Sequence, residues 1–157
     1  MKIELASANH IPVICKIDSL VIGSSSRENL LEAAVTKKQC IIALENNETV
    51  GFALFDTSFF GYSFIPLVIV SPLARRKGAA SALIHYIEQN CKTQKLFTST
   101  NESNTAMQRV CESLGFVRSG MIENLDEGDP EWIYFKPIHT PYTKKKDCPA
   151  ADYKLAP

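Results

Sequence analysis

The sequence predicts a mixed α/β domain in which a mostly antiparallel central sheet is flanked by helices. Some short runs alternate between apolar and polar residues, as strands with one buried face do. Other runs repeat apolar residues every three or four positions, as amphipathic helices do. The apolar run at 64–70 is nearly unbroken, which is typical of a central strand covered on both faces. A chain of 157 residues is long enough for one domain of this kind.

The elements predicted in the N-terminal part begin with a short strand and end with a hairpin. The first two are a strand at 2–6 and a helix from about Asn9 to Gly23. A capping box at Ser25–Glu28 predicts the start of a second helix, which runs to about Lys38. Strands at 40–45 and 49–55 follow. Turn-forming residues separate the last two strands, which should therefore form a hairpin.

The C-terminal part continues from the central strand. The predicted elements are a helix at about 78–92, a strand at 95–100, a helix from Asn104 that Gly115 ends, and a hairpin of 116–124 with 131–136. The buried stripe of the second helix is expected to consist of Met107, Val110, Cys111 and Leu114. Residues 1–138 are thus expected to form one domain. Residues 139–157 lose this periodicity and are expected to form a tail on the surface or on a partner.

Pro66 lies inside the predicted central strand. Proline has no N–H and cannot donate a hydrogen bond to a neighbouring strand. The strand should therefore carry a bulge or lose its neighbour near this residue.

Composition excludes several classes of partner. Seventeen basic residues balance seventeen acidic ones, so no overall charge favours nucleic acid or a membrane surface. Five cysteines form no C-x-x-C pair, which predicts reduced core thiols and a cytoplasmic location. The N-terminus resembles a strand rather than a signal peptide, and the sequence contains no apolar run long enough to span a membrane.

The strongest functional signal follows the central strand, where a basic loop leads directly into a helix. The N–H groups of a helix's first turn have no intrahelical acceptor, and the helix dipole adds partial positive charge there. Arg75, Arg76 and Lys77 add full charges before this turn, while Gly78, Ala79, Ala80 and Ser81 are small enough to let a ligand reach the main chain. This pattern predicts a site for a diphosphate.

The spacing Arg75-x-x-Gly78-x-Ala80 resembles the acetyl-CoA loop of the GNAT (Gcn5-related N-acetyltransferase) superfamily. A second match runs from Asn104 to the Leu-Gly-Phe that ends at Phe116, and the interval between the two motifs suits one helix and one strand. The resemblance implies the GNAT fold over about residues 1–138. Its central strands would be splayed beside Pro66 to take the pantetheine arm of acetyl-CoA. It implies acetyl-CoA as co-substrate, without a metal.

The resemblance also assigns roles to particular residues. Backbone groups of Val68, Ile69 and Val70 would hold the thioester carbonyl, and Asn104 would contact the cofactor. Cys111 stands where many members have a tyrosine that protonates the departing thiolate. Cys111 could serve as that acid or could simply pack as a small hydrophobe.

The acceptor and the base are not selected by the sequence. Glu45, Glu102 and Glu123 are candidate bases, and each could equally be a solvated carboxylate. Five carboxylates lie within residues 123–131, where they could attract a cationic amine or form only a solvated turn. The predicted activity is N-acetylation of a small-molecule amine or a protein amino group by direct attack. A CoA-binding regulatory module without turnover is the alternative, and the sequence leaves a homodimer open.

Overall fold

Strands and helices follow one another along the chain in the computed structural model, which describes residues 1–138. The strands are β1 Lys2–Leu5, β2 Cys40–Glu45, β3 Glu48–Phe59, β4 Tyr62–Val70, β5 Lys95–Asn101, β6 Val117–Ile122 and β7 Glu131–Pro137. The α-helices are α1 Ile11–Ile22, α2 Glu28–Thr36, α3 Ala79–Gln89 and α4 Thr105–Ser113, and short 3-10 helices lie at Ala8–His10 and Pro72–Ala74. The predicted tail at 139–157 lies outside the described residues.

The strands hydrogen-bond in the order β1-β2-β3-β4-β5-β7-β6. The pairs β1–β2, β2–β3, β5–β7 and β6–β7 are antiparallel, and β4–β5 is parallel. The predicted mixed α/β fold with a mostly antiparallel sheet is therefore confirmed. Both predicted hairpins are also confirmed, and Asn46 and Asn47 adopt positive φ angles of 51° and 65° in the first turn.

The first of two compact units consists of Met1–Phe55 and Pro66–Ile87. Its core packs α1 and α2 against the strands of the same unit, and its buried members include Ile14, Leu31, Ile42, Phe52 and Ile69. Gly23 ends α1 in the left-handed conformation, with φ of 77°. This unit also contains the basic loop and α3.

The capping box predicted at Ser25–Glu28 is wrong. The residue that precedes α2 is Arg27, and no side chain caps this helix. Instead, Arg27 forms a two-bond ion pair with Asp18 of α1, whose side chain is 2% exposed. A buried carboxylate needs a partner, and this demand outweighs the local capping preference.

Among the described residues, the second unit consists of Asp56–Ile65 and residues 88–138. Its sheet core lies on the face that Leu96, Thr98 and Tyr134 share. The predicted stripe of α4 is partly wrong, because Gln108 and Cys111 are buried whereas Met107, Val110 and Leu114 are half-buried. Gln108 can be buried because its amide donates to the carbonyls of Asn101 and Glu102, at 3.2 and 2.6 Å.

Candidate active site

The basic loop, which we define as residues 75–81, joins β4 and a short 3-10 helix to α3. Two of its residues have left-handed backbone conformations, Arg76 with φ of 63° and Gly78 with φ of 84°. The first intrahelical bond of α3 runs from the N–H of Ala82 to the carbonyl of Gly78, at 2.9 Å. Gly78 therefore occupies the N-cap position, and the N–H groups of the next three residues belong to the first turn.

The space around Gly78 is open. A Cβ atom built on this glycine would meet no heavy atom within 4 Å among the described residues. Ala79, by contrast, is 2% exposed and anchors the start of α3 in the core. A ligand can thus approach the main chain at Gly78 while the helix start stays fixed.

The charge of the basic loop points outward. Arg75, Arg76 and Lys77 are all exposed. Lys77 Nζ lies 3.2 Å from Oε2 of Glu45 at the end of β2. Glu45, one of the three candidate bases, thus forms an ion pair with the loop. Main-chain donors, a helix N-terminus and flanking cations together form the donor set that a diphosphate requires, so the residues present fit the diphosphate of acetyl-CoA.

Strand β4 leads into this loop. Val68 and Val70 are half-buried and Ile69 is 8% exposed, so their side chains belong to the core or its margin. The main chain at Ile69 and Val70 approaches Gly51 of β3 closely. Gly51 did not emerge as a functional residue from the sequence, although a glycine inside a strand is a recognised signal of close backbone approach.

The pairing of β4 with β5 ends at the predicted point. Within residues 1–138 the parallel register comprises three pairs, from Ser63–Leu96 to Ile65–Thr98, and Pro66 follows directly. The hydroxyl of Thr98 donates a 2.9 Å hydrogen bond to the carbonyl of Ile65. A side chain therefore satisfies the last buried carbonyl before the proline. The sequence predicted either a bulge or the loss of a neighbouring strand near Pro66, and the end of the β4–β5 register at Ile65 is the second of these outcomes.

Asn104 lies at the start of α4. Its side-chain oxygen accepts a 3.2 Å hydrogen bond from the N–H of Met107, which makes Asn104 the N-cap of this helix. The contact with a cofactor that the family resemblance assigns to Asn104 stays a prediction.

Cys111 lies in the core of the second unit. Its side chain is 0% exposed, and burial raises the pKa of its thiol to about 11. The thiol is therefore protonated at neutral pH and enclosed by protein. This environment is the one expected of a packing residue, and the catalytic role of Cys111 stays a prediction.

The acidic turn between β6 and β7 is partly used for structure. Asp129 accepts hydrogen bonds from the N–H and the hydroxyl of Ser103, at 3.0 and 2.5 Å. Asp126 accepts one from the amide of Asn101, at 2.8 Å. These two carboxylates hold the loop before α4. Glu123 and Glu127 are exposed, and Glu131 is half-exposed.

Trp132 and Tyr134 lie on the face of β7 that Arg118 covers. The Arg118 guanidinium lies 4.5 Å from the centre of the Trp132 ring, and its Nε donates to the Tyr134 hydroxyl at 3.2 Å. Tyr134 is 0% exposed. Tyr134 is therefore a core residue, and Trp132 supports a surface arginine.

Residues 1–138 contain neither a candidate metal site nor a helix that could span a membrane. In this part of the chain no group of three or more His, Cys, Asp or Glu side chains could hold a metal ion. Every helix described there is too short or too polar to cross a bilayer.

Comparisons with known proteins identify the family. The model of the "Acetyltransferase (GNAT) family" matches residues 16–116, and the chain belongs to this family. It is an acetyl-CoA-dependent N-acetyltransferase. A search of curated proteins found no match.

Solved structures agree with this assignment. A GNAT-family acetyltransferase from Bacillus cereus is 45% identical, with a TM-score of 0.85 over 88% of this chain and 98% of that chain. The ribosomal-protein-S18-alanine N-acetyltransferase of Escherichia coli shares the fold at 17% identity, with a TM-score of 0.79 over 94% and 98%. The yncA protein of Salmonella typhimurium, solved with its cofactor acetyl-CoA, shares it at 17% identity, with a TM-score of 0.74 over 90% and 96%.

Proposed function

We propose that this enzyme transfers the acetyl group of acetyl-CoA directly to a primary amine, and that cationic amines are its favoured acceptors. The observation that carries the proposal is the basic loop, where an open glycine at the N-cap of α3 combines with three exposed cations. The loop would bind the diphosphate through the main chain of residues 78–81, with Arg75, Arg76 and Lys77 adding charge.

The main chain of Val68, Ile69 and Val70 would bind the thioester carbonyl. Main-chain donors suit this task because they are fixed before the reaction and need no reorganisation during it. Acetyl-CoA would supply the acetyl group and a thiolate leaving group. A thiol with an ordinary pKa near 8.5 leaves readily as an anion, so the reaction does not require Cys111 as an acid.

The acceptor amine must be neutral to attack. An amine with a pKa near 10.4 is neutral in roughly one molecule in a few thousand at pH 7, so removal of its proton limits the rate unless a base or a water path assists. Glu102 and Glu123 remain candidates for this base. Glu45 is a weaker candidate because it is engaged with Lys77 at 3.2 Å.

The preference for cationic acceptors is proposed from the turn at 123–131. Asp126 and Asp129 are engaged in holding the neighbouring loop, and Glu123, Glu127 and Glu131 remain to supply negative potential. Such a potential would concentrate polyamines or lysine side chains near the protein, and salt would weaken the effect.

A calorimetric titration with acetyl-CoA tests the site. The variant Gly78→Trp places a ring where the ligand should approach, and Gly23→Trp is its matched control because Gly23 has a similar φ of 77° and equally open surroundings. Both variants should lose similar stability, and only Gly78→Trp should lose binding. Absence of binding by the wild type, or undiminished binding by Gly78→Trp, would defeat the assignment.

Release of the CoA thiol tests the reaction. An acceptor panel should contain polyamines, neutral primary amines and peptides with free N-termini or lysines. Faster release with polyamines, diminished by salt, is the expected result. Tight binding of acetyl-CoA without release on any acceptor would instead favour a regulatory CoA-binding module. The buried Cys111 at the usual tyrosine position is the observation behind that second candidate.

A further inference from the structure

Strand β3 carries a β-bulge at Val50. In the β2–β3 register Ala43 pairs with Gly51 and Leu44 pairs with Thr49, so Val50 lies between two paired residues without a partner on β2. A bulge redirects the main chain of its strand, and bulges are common beside active sites. This one lies in the first unit, which also contains the end of β4 and the basic loop.

The bulge contacts the end of β4 directly. The carbonyl of Val50 accepts a 2.8 Å hydrogen bond from the N–H of Ser71, the residue that follows β4. The chain then continues into the basic loop. A main-chain hydrogen bond thus ties the bulged residue to the first residue after β4.

Gly51 allows β4 to approach at this point. A Cβ atom built on Gly51 would lie 2.8 Å from the carbonyl oxygen of Ile69 and 3.3 Å from Cα of Val70. Both neighbours are main-chain atoms, so they cannot rotate away as the end of a side chain could. Gly51 is absent from the residues with positive φ, so the site needs glycine because of space rather than backbone conformation.

We propose that Gly51 is a positioning residue, which holds the main chain of Ile69 and Val70 in the place where it binds the acetyl carbonyl. The inference rests on the proposed function, because that function gives the task to Val68, Ile69 and Val70. A methyl group at residue 51 displaces the Ile69 carbonyl by a few tenths of an ångström, since real Cβ atoms do not approach an oxygen at 2.8 Å. Because a misplacement of about 1 Å can cost roughly 100-fold in rate, a shift of a few tenths of an ångström in a binding group should have a measurable effect.

The chain offers a matched control for Gly51→Ala. Gly120 also lies in a strand, at the register shift of β6, and a Cβ atom built on it meets nothing within 4 Å. Like Gly51, it is not among the glycines with positive φ. Gly120→Ala therefore makes the same chemical change in a strand without displacing any main chain.

The test is calorimetry with two probes, CoA and acetyl-CoA, which differ only in the acetyl group. Gly51→Ala should lower the affinity for acetyl-CoA about fivefold more than the affinity for CoA. This difference corresponds to the loss of one hydrogen bond. If Gly51 only supported folding, its substitution would lower the number of binding sites per chain or change the affinity for both probes alike. Gly120→Ala should bind both probes as the wild type does.

The outcomes separate the two proposals. Suppose that the wild type binds acetyl-CoA and that Gly51→Ala lowers the affinity for both probes equally, or for neither. The positioning role is then overturned and the proposed function stands. If the wild type binds neither probe, the proposed function itself fails.

If Gly51→Ala does not fold, Ser71→Pro tests the placement of the end of β4 through its other contact with β3, at Val50. The φ of Ser71 is −50°, which suits proline, and the substitution removes the N–H that bonds to Val50. A selective loss of acetyl-CoA binding in Ser71→Pro supports positioning of this main chain by β3, which the role of Gly51 requires, and an equal change for both probes overturns it.

Discussion

The basic loop at 75–81 and the segment 104–116 both match the family, and they use their residues in opposite ways. In the basic loop the charged side chains are exposed, two residues have left-handed backbones, and the space at Gly78 is open. In the segment 104–116 the side chain of Asn104 caps a helix and Cys111 is fully buried. The first motif has an open main chain and exposed side chains, whereas the second uses its side chains for its own structure.

A motif match alone therefore does not separate ligand-binding residues from structural ones. A loop that binds anions through the main chain has to keep its surroundings empty and tolerate strained φ angles. A helix within a core has to satisfy its first N–H groups and fill its buried positions. Substitutions in the two segments should therefore affect different quantities.

The largest expected effect on stability is that of Cys111→Tyr. A tyrosine at a 0% exposed position overfills the core, and we expect the free energy of unfolding to fall by about 3 kcal/mol. Cys111→Ser should lose about 1–2 kcal/mol, because a buried hydroxyl needs a partner, and should keep its turnover per folded molecule. Urea unfolding and thiol release measure the two quantities. A stable Cys111→Tyr with faster turnover would show that this position reaches the reacting groups.

Alkaline pH should destabilise the enzyme through its buried thiols. Burial raises the pKa of Cys111 from 9.0 to about 11 and that of Cys40 from 9.0 to about 12. As pH rises above 9 the unfolded chain loses these protons first and so binds fewer than the folded chain. Stability then falls by about 1.4 kcal/mol per pH unit for each thiol, until the pH reaches that thiol's folded-state pKa.

Urea unfolding at about pH 8, 9.5 and 10.5 measures this slope. Cys111→Ser provides the comparison, because it removes one thiol whose pKa is raised by burial and leaves every lysine and tyrosine in place. Its slope should be shallower than that of the wild type by the contribution of one thiol. Equal slopes would indicate that Cys111 is accessible to solvent and would weaken the contrast with the basic loop.

Variants of Asn104 test whether one side chain can both cap α4 and contact acetyl-CoA. Asn104→Ala should lower the free energy of unfolding by about 1 kcal/mol because it removes the cap, whereas Asn104→Ser keeps a capping oxygen and should lose little. If Asn104 also contacts acetyl-CoA, both variants should bind it several-fold more weakly. Thermal unfolding and calorimetry distinguish the effects. Unchanged affinity in Asn104→Ser would leave capping as the sole role.

The smallest effects are expected for Arg75→Gly and Arg76→Gly. Arg75 has an ordinary φ of −67°, so glycine there should lower stability by about 0.5–1 kcal/mol through backbone entropy. Arg76 has φ of 63°, so relief of strain should offset that loss and leave stability nearly unchanged. Each variant removes one positive charge and should weaken acetyl-CoA binding in a salt-dependent way. Equal losses of stability would argue against strain at Arg76.

Several features of the fold could be predicted because they depend on local pattern. The two hairpins follow from alternation and turn residues, and the end of the β4–β5 pairing follows from the missing N–H of Pro66. Gly78 and Gly115 occupy the predicted helix boundaries, with φ of 84° and 86°. These outcomes need no knowledge of distant residues.

The features that the sequence predicted wrongly or did not reveal depend on residues distant in the chain. The capping box predicted at Ser25–Glu28 does not form, because Arg27 precedes α2 and pairs with Asp18, which is buried in α1. Gln108 is buried because two carbonyls from the preceding loop accept its amide hydrogens. The need for glycine at residue 51 comes from the main chain of Ile69, which lies beside it. In each case the deciding partner lies outside the local pattern.

The fold class, the order of the elements and the expectation of a diphosphate site in the basic loop could be read from local sequence, because they depend on periodicity, φ preferences and the chemistry of neighbouring residues. The enclosure of Cys111, the hydrogen bonds by which Asp126 and Asp129 hold a loop, and the close approach of β4 to Gly51 became visible in the folded chain. Burial and hydrogen-bond pairing are set by atoms brought together from distant parts of the chain, and no local pattern specifies them.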